Sequence, residues 1–238
     1  MGIYDKILQS VNQHRKMLVV LIDPDKASPQ HISRLCGLFA DSKPDMLFVG
    51  GSLVCSAIDD VVAELKRQTD VPVVLFPGNA AQLSPQADAL LMLSLISGRN
   101  ADYLIGQHVH AAPAIAQSGI EVIPTGYMLI ESGVQTSVEY ISNTKPIPRG
   151  KTDIALATAM AGEQLGLRML YLEAGSGAQQ PVPAEMISAV RQKISIPLIV
   201  GGGLRSREAI AEAYNAGADI VVVGTAVESD PEILRQFV

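Results

Sequence analysis

Hydrophobic residues in this chain come in short unbroken runs rather than in alternation with polar ones. The stretches "MLVVLID", "DMLFVGG", "VPVVLFPG", "ADALLMLS", "IEVIPTG", "LRMLYLEAG", "IPLIVGGG" and "ADIVVVGT" set Val, Ile and Leu side by side, and most close on a glycine or an acid. Continuous apolar runs are expected of parallel strands covered on both faces. Between most of them, apolar residues return at three- and four-residue intervals. Ser28 as cap and Pro29 in the first helical position predict a helix with Ile32, Leu35, Cys36 and Phe39 on one face. Ile58, Val61, Val62 and Leu65 stripe a second helix after Ser56, Ile187, Val190 and Ile194 stripe another, and Thr152 and Gly166 bracket a further one. Eight strand–helix alternations in 238 residues predict a (β/α)8 TIM barrel, residues 1–238, as a single domain.

The third unit breaks this rhythm. Its linker, "NAAQLSPQ", contains a proline and is shorter than the roughly 10 to 12 residues a crossover helix needs, so the third helix is predicted to be missing or replaced. Such a gap would leave part of the barrel wall open as an apolar trough. The segment "SNTKPIPRGKT" is predicted to be a long loop over the mouth.

Composition narrows the classes of partner. The net charge is −6 with no basic stripe, which argues against nucleic acid, whose backbone needs clustered Lys and Arg. The longest apolar stretch, "ALLMLSLI", is far short of the ~20 residues needed to cross a bilayer, so no transmembrane segment is expected and at most a transient membrane contact. Cys36 and Cys55 are too few and too isolated for a disulfide framework, and fit a reducing, cytoplasmic location as small core residues. His14, His31, His108 and His110 lack metal spacing and are expected on helix or loop surfaces.

In a barrel the residues just after the strands converge on one mouth, so the run ends are read together. "GSG" at 175–177, "GGG" at 201–203 and "GT" at 224–225 close strands six, seven and eight, where backbone amides and helix starts can surround a phosphate. Thr225 and Glu228 also fit a capping box. Asp23 and Asp25 end strand one, and Ser52 follows strand two. A carboxylate, a hydroxyl and substrate phosphate oxygens form a hard-oxygen set suited to Mg²⁺, with Asp23 as ligand and Asp25 either joining it or fixing the local turn. Glu173 closes strand six beside the phosphate side. A carboxylate next to a phosphate is repelled by it, and accepting a proton from a substrate hydroxyl is the task that would explain it. Tyr171 either orients the substrate or lines the core. Arg99 and Asn100, after strand four, either reach a second anion across the mouth or cap the following helix.

Taken together, "LIDPDK", "FVGGS", "SGRN", "YLEAGSGA", "VGGGLRS" and "GADIVVVGTAVE" resemble the geranylgeranylglyceryl phosphate synthase family along essentially the whole chain. The resemblance implies a barrel with an altered third unit that joins glycerol 1-phosphate to a long prenyl diphosphate through an ether bond. It implies Mg²⁺ at Asp23 and Ser52. Glycerol phosphate would lie at Tyr171, Leu172, Glu173, Ala174, Gly175, Ser176 and Gly177, and also at Gly202, Gly203, Gly224 and Thr225, with Glu173 as the base. Relatives form dimers or larger rings, so a homo-oligomer is expected. The related heptaprenylglyceryl branch carries lysine two residues before the metal aspartate; Leu21 stands there and favours the geranylgeranyl branch. Ala101 departs from the proline common in relatives. Enzymes of phosphosugars or FMN that use the same phosphate position, prenylglyceryl synthases of other chain length, and a non-catalytic phosphate-binding module are the competing readings.

Overall fold

A computed structural model describes residues 1–237. Eight parallel strands close into a barrel in chain order: β1 (Met17–Ile22), β2 (Met46–Val49), β3 (Val73–Leu75), β4 (Ala89–Leu95), β5 (Glu121–Leu129), β6 (Met169–Glu173), β7 (Leu198–Gly201) and β8 (Ile220–Val223), which pairs back with β1. All eight coincide with the apolar runs. The helices are α1 (Ile3–Asn12), α2 (Pro29–Gly37), α3 (Ile58–Gln68), α4 (Gln107–Ser118), α5 (Ser137–Ser142), α6 (Thr152–Gln164), α7 (Ala184–Arg191), α8 (Arg207–Ala216), α9 (Thr225–Ser229) and α10 (Leu234–Phe237). The fold is a TIM barrel.

The strands are apolar throughout because both of their faces are buried. Met17, Val19, Phe48, Val74, Leu91, Ile123, Met169, Tyr171, Ile199 and Val222 fill the interior. The alternate residues, such as Leu18, Val20, Leu47, Leu170, Leu172 and Val200, pack outward against the helices. Ile58, Val61, Val62 and Leu65 of α3 are all buried there, as their spacing predicts. Burial of each such side chain contributes about 1.5 to 3 kcal/mol. Ser28 caps α2 by accepting from the amide of His31, with Pro29 in the first turn. The helix before β7 ends at Arg191, so Ile194 is buried from the loop that follows rather than from the helical stripe.

Three features bear on function. No helix lies between β3 and β4. The wall this leaves is bordered by the 76–88 loop, tied down by the buried Gln82, whose amide oxygen accepts from Gly51 and Gly78 and whose nitrogen donates to the Gly51 carbonyl. At the opposite end of the barrel, α1 inserts Ile3, Tyr4 and Ile7 into the interior cluster and closes the base. The predicted loop over the mouth carries α5 on its N-terminal side and is pinned where Ile147, itself buried, pairs with Ile130.

Candidate active site

β1 and β2 are neighbours, so Asp23, one residue past β1, and Ser52, three past β2, arrive on the same side of the mouth. Asp23 is about one-quarter exposed. Its Oδ1 accepts from the Asp25 amide at 3.0 Å and its Oδ2 lies 3.2 Å from the ammonium of Lys26. Asp25 turns away from the mouth and accepts from the amides of Cys55 (3.0 Å) and Ser56 (2.7 Å). The Ser56 hydrogen bonds, then the Cys55 amide, hold its carboxyl below the usual range. Asp25 thus fixes the loop that carries Ser52. From the other side Gly78 presses on that loop: a methyl group at 78 would fall 2.2 Å from the Gly51 carbonyl oxygen and 2.9 Å from the Ser52 Cα.

Glu173 is the last residue of β6 and shares the inward face with Met169 and Tyr171. It is only 5% exposed, and its Oε1 accepts from the Gly175 amide at 2.6 Å. Burial raises its pKa above the ordinary glutamate value; the Tyr171 hydroxyl and the Gly175 amide pull the other way. Glycine is required beside it. A methyl group at Gly202, where φ is +82°, would fall 2.3 Å from Glu173 Oε1, and one at Gly201 would fall 2.3 Å from the Tyr171 hydroxyl. Tyr171 is fully buried, and its hydroxyl lies near this carboxylate without a hydrogen bond of good geometry. Its ring packs 5.4 Å from those of Tyr127 and Phe76, forming an aromatic floor.

The glycine loops surround the space above Glu173. Gly175, Gly177 and Gly203 have positive φ, and the N–H groups of Ser176, Gly177 and Gly203 donate to no protein group among the described residues. Unsatisfied amides on an exposed glycine backbone are what an anion would take up. Gly224 is the residue at which α9 starts, set against Leu21, and Thr225 is its first helical residue. The predicted capping box therefore does not form: Glu228 instead extends to Lys26, at 2.9 Å. Leu172 and Ala174 face outward into the layer beneath the helices and offer only backbone to the mouth, while the side chain of Ser176 is exposed.

Arg99 and Asn100 make local contacts. Arg99 Nη1 donates to the carbonyls of Ile96 (3.2 Å) and Gly98 (2.8 Å), and Asn100 accepts from the Asp102 amide while donating to the Ser142 carbonyl at 2.7 Å. They open a π-helical turn, Asp102–Gly106, that runs into α4. Ala101 has φ −60°, an angle proline shares, so the departure from proline leaves the backbone intact.

Where the third helix is absent, an apolar groove runs from Ser52 past Phe76, Leu91, Leu93 and Tyr127 to Ala111 and Ile115 of α4, enclosing about 880 Å³ counting its open side. Two expectations fail here. His108 is half-buried in this groove, with Nε2 at 2.9 Å from the Leu93 carbonyl, because α4 leans over the gap. Cys55 is exposed on the Asp25-held loop rather than in the core; Cys36 is half-buried, and burial, then Glu64, pushes its thiol up to about 11. Gln82 and Tyr127 carried no motif signal, and Lys26, although part of "LIDPDK", was given no role, since its tie to Glu228 spans 202 residues.

Among the described residues no three His, Cys, Asp or Glu side chains gather as a metal cluster, and no helix is long and apolar enough to cross a membrane.

Known proteins match this arrangement. A sequence model of the PcrB family matches residues 9–238. The chain is 54% identical to a geranylgeranylglyceryl phosphate synthase of Spirosoma linguale, over 94% of this chain and 90% of that one. It is 52% identical to the synthase of that name from Flavobacterium johnsoniae, over 96% and 94% of the two chains. The crystal structure of (S)-3-O-geranylgeranylglyceryl phosphate synthase from Thermoplasma acidophilum, in complex with sn-glycerol-1-phosphate, superposes with a TM-score of 0.93 at 33% identity, covering 100% of this chain and 97% of that one. With a family match along nearly its whole length and relatives above half identity, this chain belongs to the PcrB family and to the geranylgeranylglyceryl phosphate synthases that its motifs resemble.

Proposed function

We propose that this protein is a prenyltransferase that joins sn-glycerol 1-phosphate to geranylgeranyl diphosphate through an ether bond and releases diphosphate. The observation that carries this reading is the position of Glu173. A buried carboxylate of raised pKa stands beside glycine loops with unsatisfied amides and next to Tyr171, whose ring packs on Phe76 and Tyr127, two residues that line the long apolar groove. The names and the glycerol phosphate complex of the relatives supply the substrates.

The loops at 175–177, 202–203 and 224–225 hold the phosphate of the glycerol substrate through backbone N–H groups, which places the far hydroxyl over the aromatic floor. Glu173 accepts the proton of that hydroxyl. The hydroxyl oxygen forms the new bond to the first prenyl carbon, the bond from that carbon to the diphosphate oxygen breaks, and its electron pair leaves with the diphosphate. Aligning two reactants in this way can be worth up to about 7 to 11 kcal/mol. The groove takes the prenyl chain and keeps water from the carbon at which positive character develops.

Asp23 and Ser52 fit a divalent cation. They present hard oxygens from adjacent strand ends, and Asp23 already attracts the cationic head of Lys26. Mg²⁺, which keeps several waters and needs few protein ligands, would neutralise the departing diphosphate there.

Incubation of the protein and Mg²⁺ with labelled glycerol 1-phosphate and prenyl diphosphates of several lengths, followed by lipid extraction, tests the proposal. Label in the organic phase, greatest with the geranylgeranyl substrate, is expected. No organic-phase label with any prenyl diphosphate would reject it.

A further inference from the structure

Lys26 stands at the seam of the barrel, where β1 meets β8. It lies 2.9 Å from Glu228 on α9 and 3.2 Å from Asp23, although Glu228 is 202 residues away in sequence. The seam separates the Asp23–Ser52 side of the mouth from the α9 side, whose first residues belong to the phosphate cradle. Two substrates that react with one another, each carrying phosphate, must meet across it.

An ammonium has three N–H donors, and the two carboxylates account for two of them. The side chain is more than half exposed, which leaves the third donor open to solvent or to a ligand. Charge points the same way. A divalent cation on Asp23 would add two positive charges beside Lys26, which repels the lysine from the metal ligand and makes the seam more attractive to an anion. Near the rim Arg99 donates to carbonyls of its own loop, Arg149 to the Pro181 carbonyl and Arg205 to the Ala178 carbonyl, whereas the partners of Lys26 are the candidate metal ligand and a residue of the cradle helix.

Building on the prenyl-transfer reading, we infer that Lys26 is the protein cation that binds the diphosphate of the prenyl substrate: it exchanges Asp23 for a diphosphate oxygen, while Glu228 keeps it at the rim. As the carbon–oxygen bond breaks and the electron pair moves to the diphosphate, Lys26 stabilises the added negative charge beside the metal. Glu228 is a positioning residue in this arrangement.

The test is calorimetric titration of inorganic diphosphate, at saturating Mg²⁺, into wild type, Lys26→Met and Lys26→Arg, with glycerol 1-phosphate titrated as a control of the fold. Lys26→Met is expected to bind diphosphate at least about tenfold more weakly, the loss that follows from removing one charge-assisted contact. Its KM for geranylgeranyl diphosphate should rise in parallel, and its affinity for glycerol 1-phosphate should not change. Lys26→Arg should recover most of the loss. Diphosphate affinity in Lys26→Met equal to wild type overturns the inference alone, even if that variant melts at a lower temperature, because the lysine would then be only a structural tie. A wild-type protein that makes no extractable lipid overturns the functional reading instead, and with it the basis of this one.

Discussion

At the scale of the residue, Glu173, the proposed base, is set apart because its surroundings oppose its charge. For a carboxylate whose folded pKa lies above its unfolded value, the protonated form favours the fold. That stabilising contribution is complete below the unfolded value near 4.5 and is lost as pH rises through the raised folded value. Glu173→Gln, which imitates the protonated acid, should therefore melt above wild type at neutral pH, and the gap should close as pH falls below about 4. The same substitution should lower kcat by about 10²- to 10⁴-fold, the usual contribution of a general base, with glycerol 1-phosphate binding retained. In wild type the acid limb of kcat/KM should lie above the ordinary glutamate range, reflecting the burial of the base. A glutamine variant with full turnover, or one less stable than wild type at pH 7, would remove Glu173 from this role. Asp23→Asn should cost at least about 100-fold in Mg²⁺-supported activity, with no recovery at higher Mg²⁺, as loss of a metal that supplies several kcal/mol predicts.

Among the elements, α1 has the clearest dependence on one distant residue. The side chain of Glu121, at the start of β5, accepts from the amides of Ile3 (2.5 Å) and Tyr4 (3.0 Å), so it serves as the N-terminal cap of the helix that closes the barrel base. The Tyr4 hydroxyl donates to the Arg168 carbonyl, and the Arg168 guanidinium lies 3.9 Å from the Tyr4 ring centre. Glu121→Ala should lower stability by about 0.5 to 2 kcal/mol in denaturant titration, the usual cost of a lost cap, and leave kcat unchanged, because the base is the far end from the mouth. An activity loss as large as the stability loss would contradict that separation. The strands and most helices are legible in the sequence because each has its own period and its own start signal. Thr225 shows the limit of that legibility. Its sequence reads as a cap, but Gly224 takes that position and Glu228 finds a stronger partner in Lys26.

For the whole molecule, the missing third helix leaves an open groove, the proposed path of the prenyl chain, only because α4 and the 76–88 loop border the exposed wall without filling it. Helices of the barrel run from mouth to base, so His108, Ala111 and Ile115 mark successive depths of the groove. Ala111→Phe should shorten the accepted chain. Turnover with geranylgeranyl diphosphate should fall more than turnover with a C15 diphosphate, measured side by side in the extraction assay. Equal losses with both substrates would place the chain elsewhere.

The sequence by itself determined the barrel, the gap in its third unit and the side of the mouth on which each loop stands, because apolar periodicity and glycine placement act over a few residues at a time. It also put Glu173 on the inner face: with a period of two, Met169, Tyr171 and Glu173 must point the same way once "MLYLE" is a strand. Closure of the barrel decided the rest. Asp25 meeting Cys55 and Ser56, Gln82 meeting Gly51, and Lys26 meeting Glu228 are pairings of residues far apart in the chain. Such contacts leave no local pattern, since their energy arises only when the strands that carry them are already side by side.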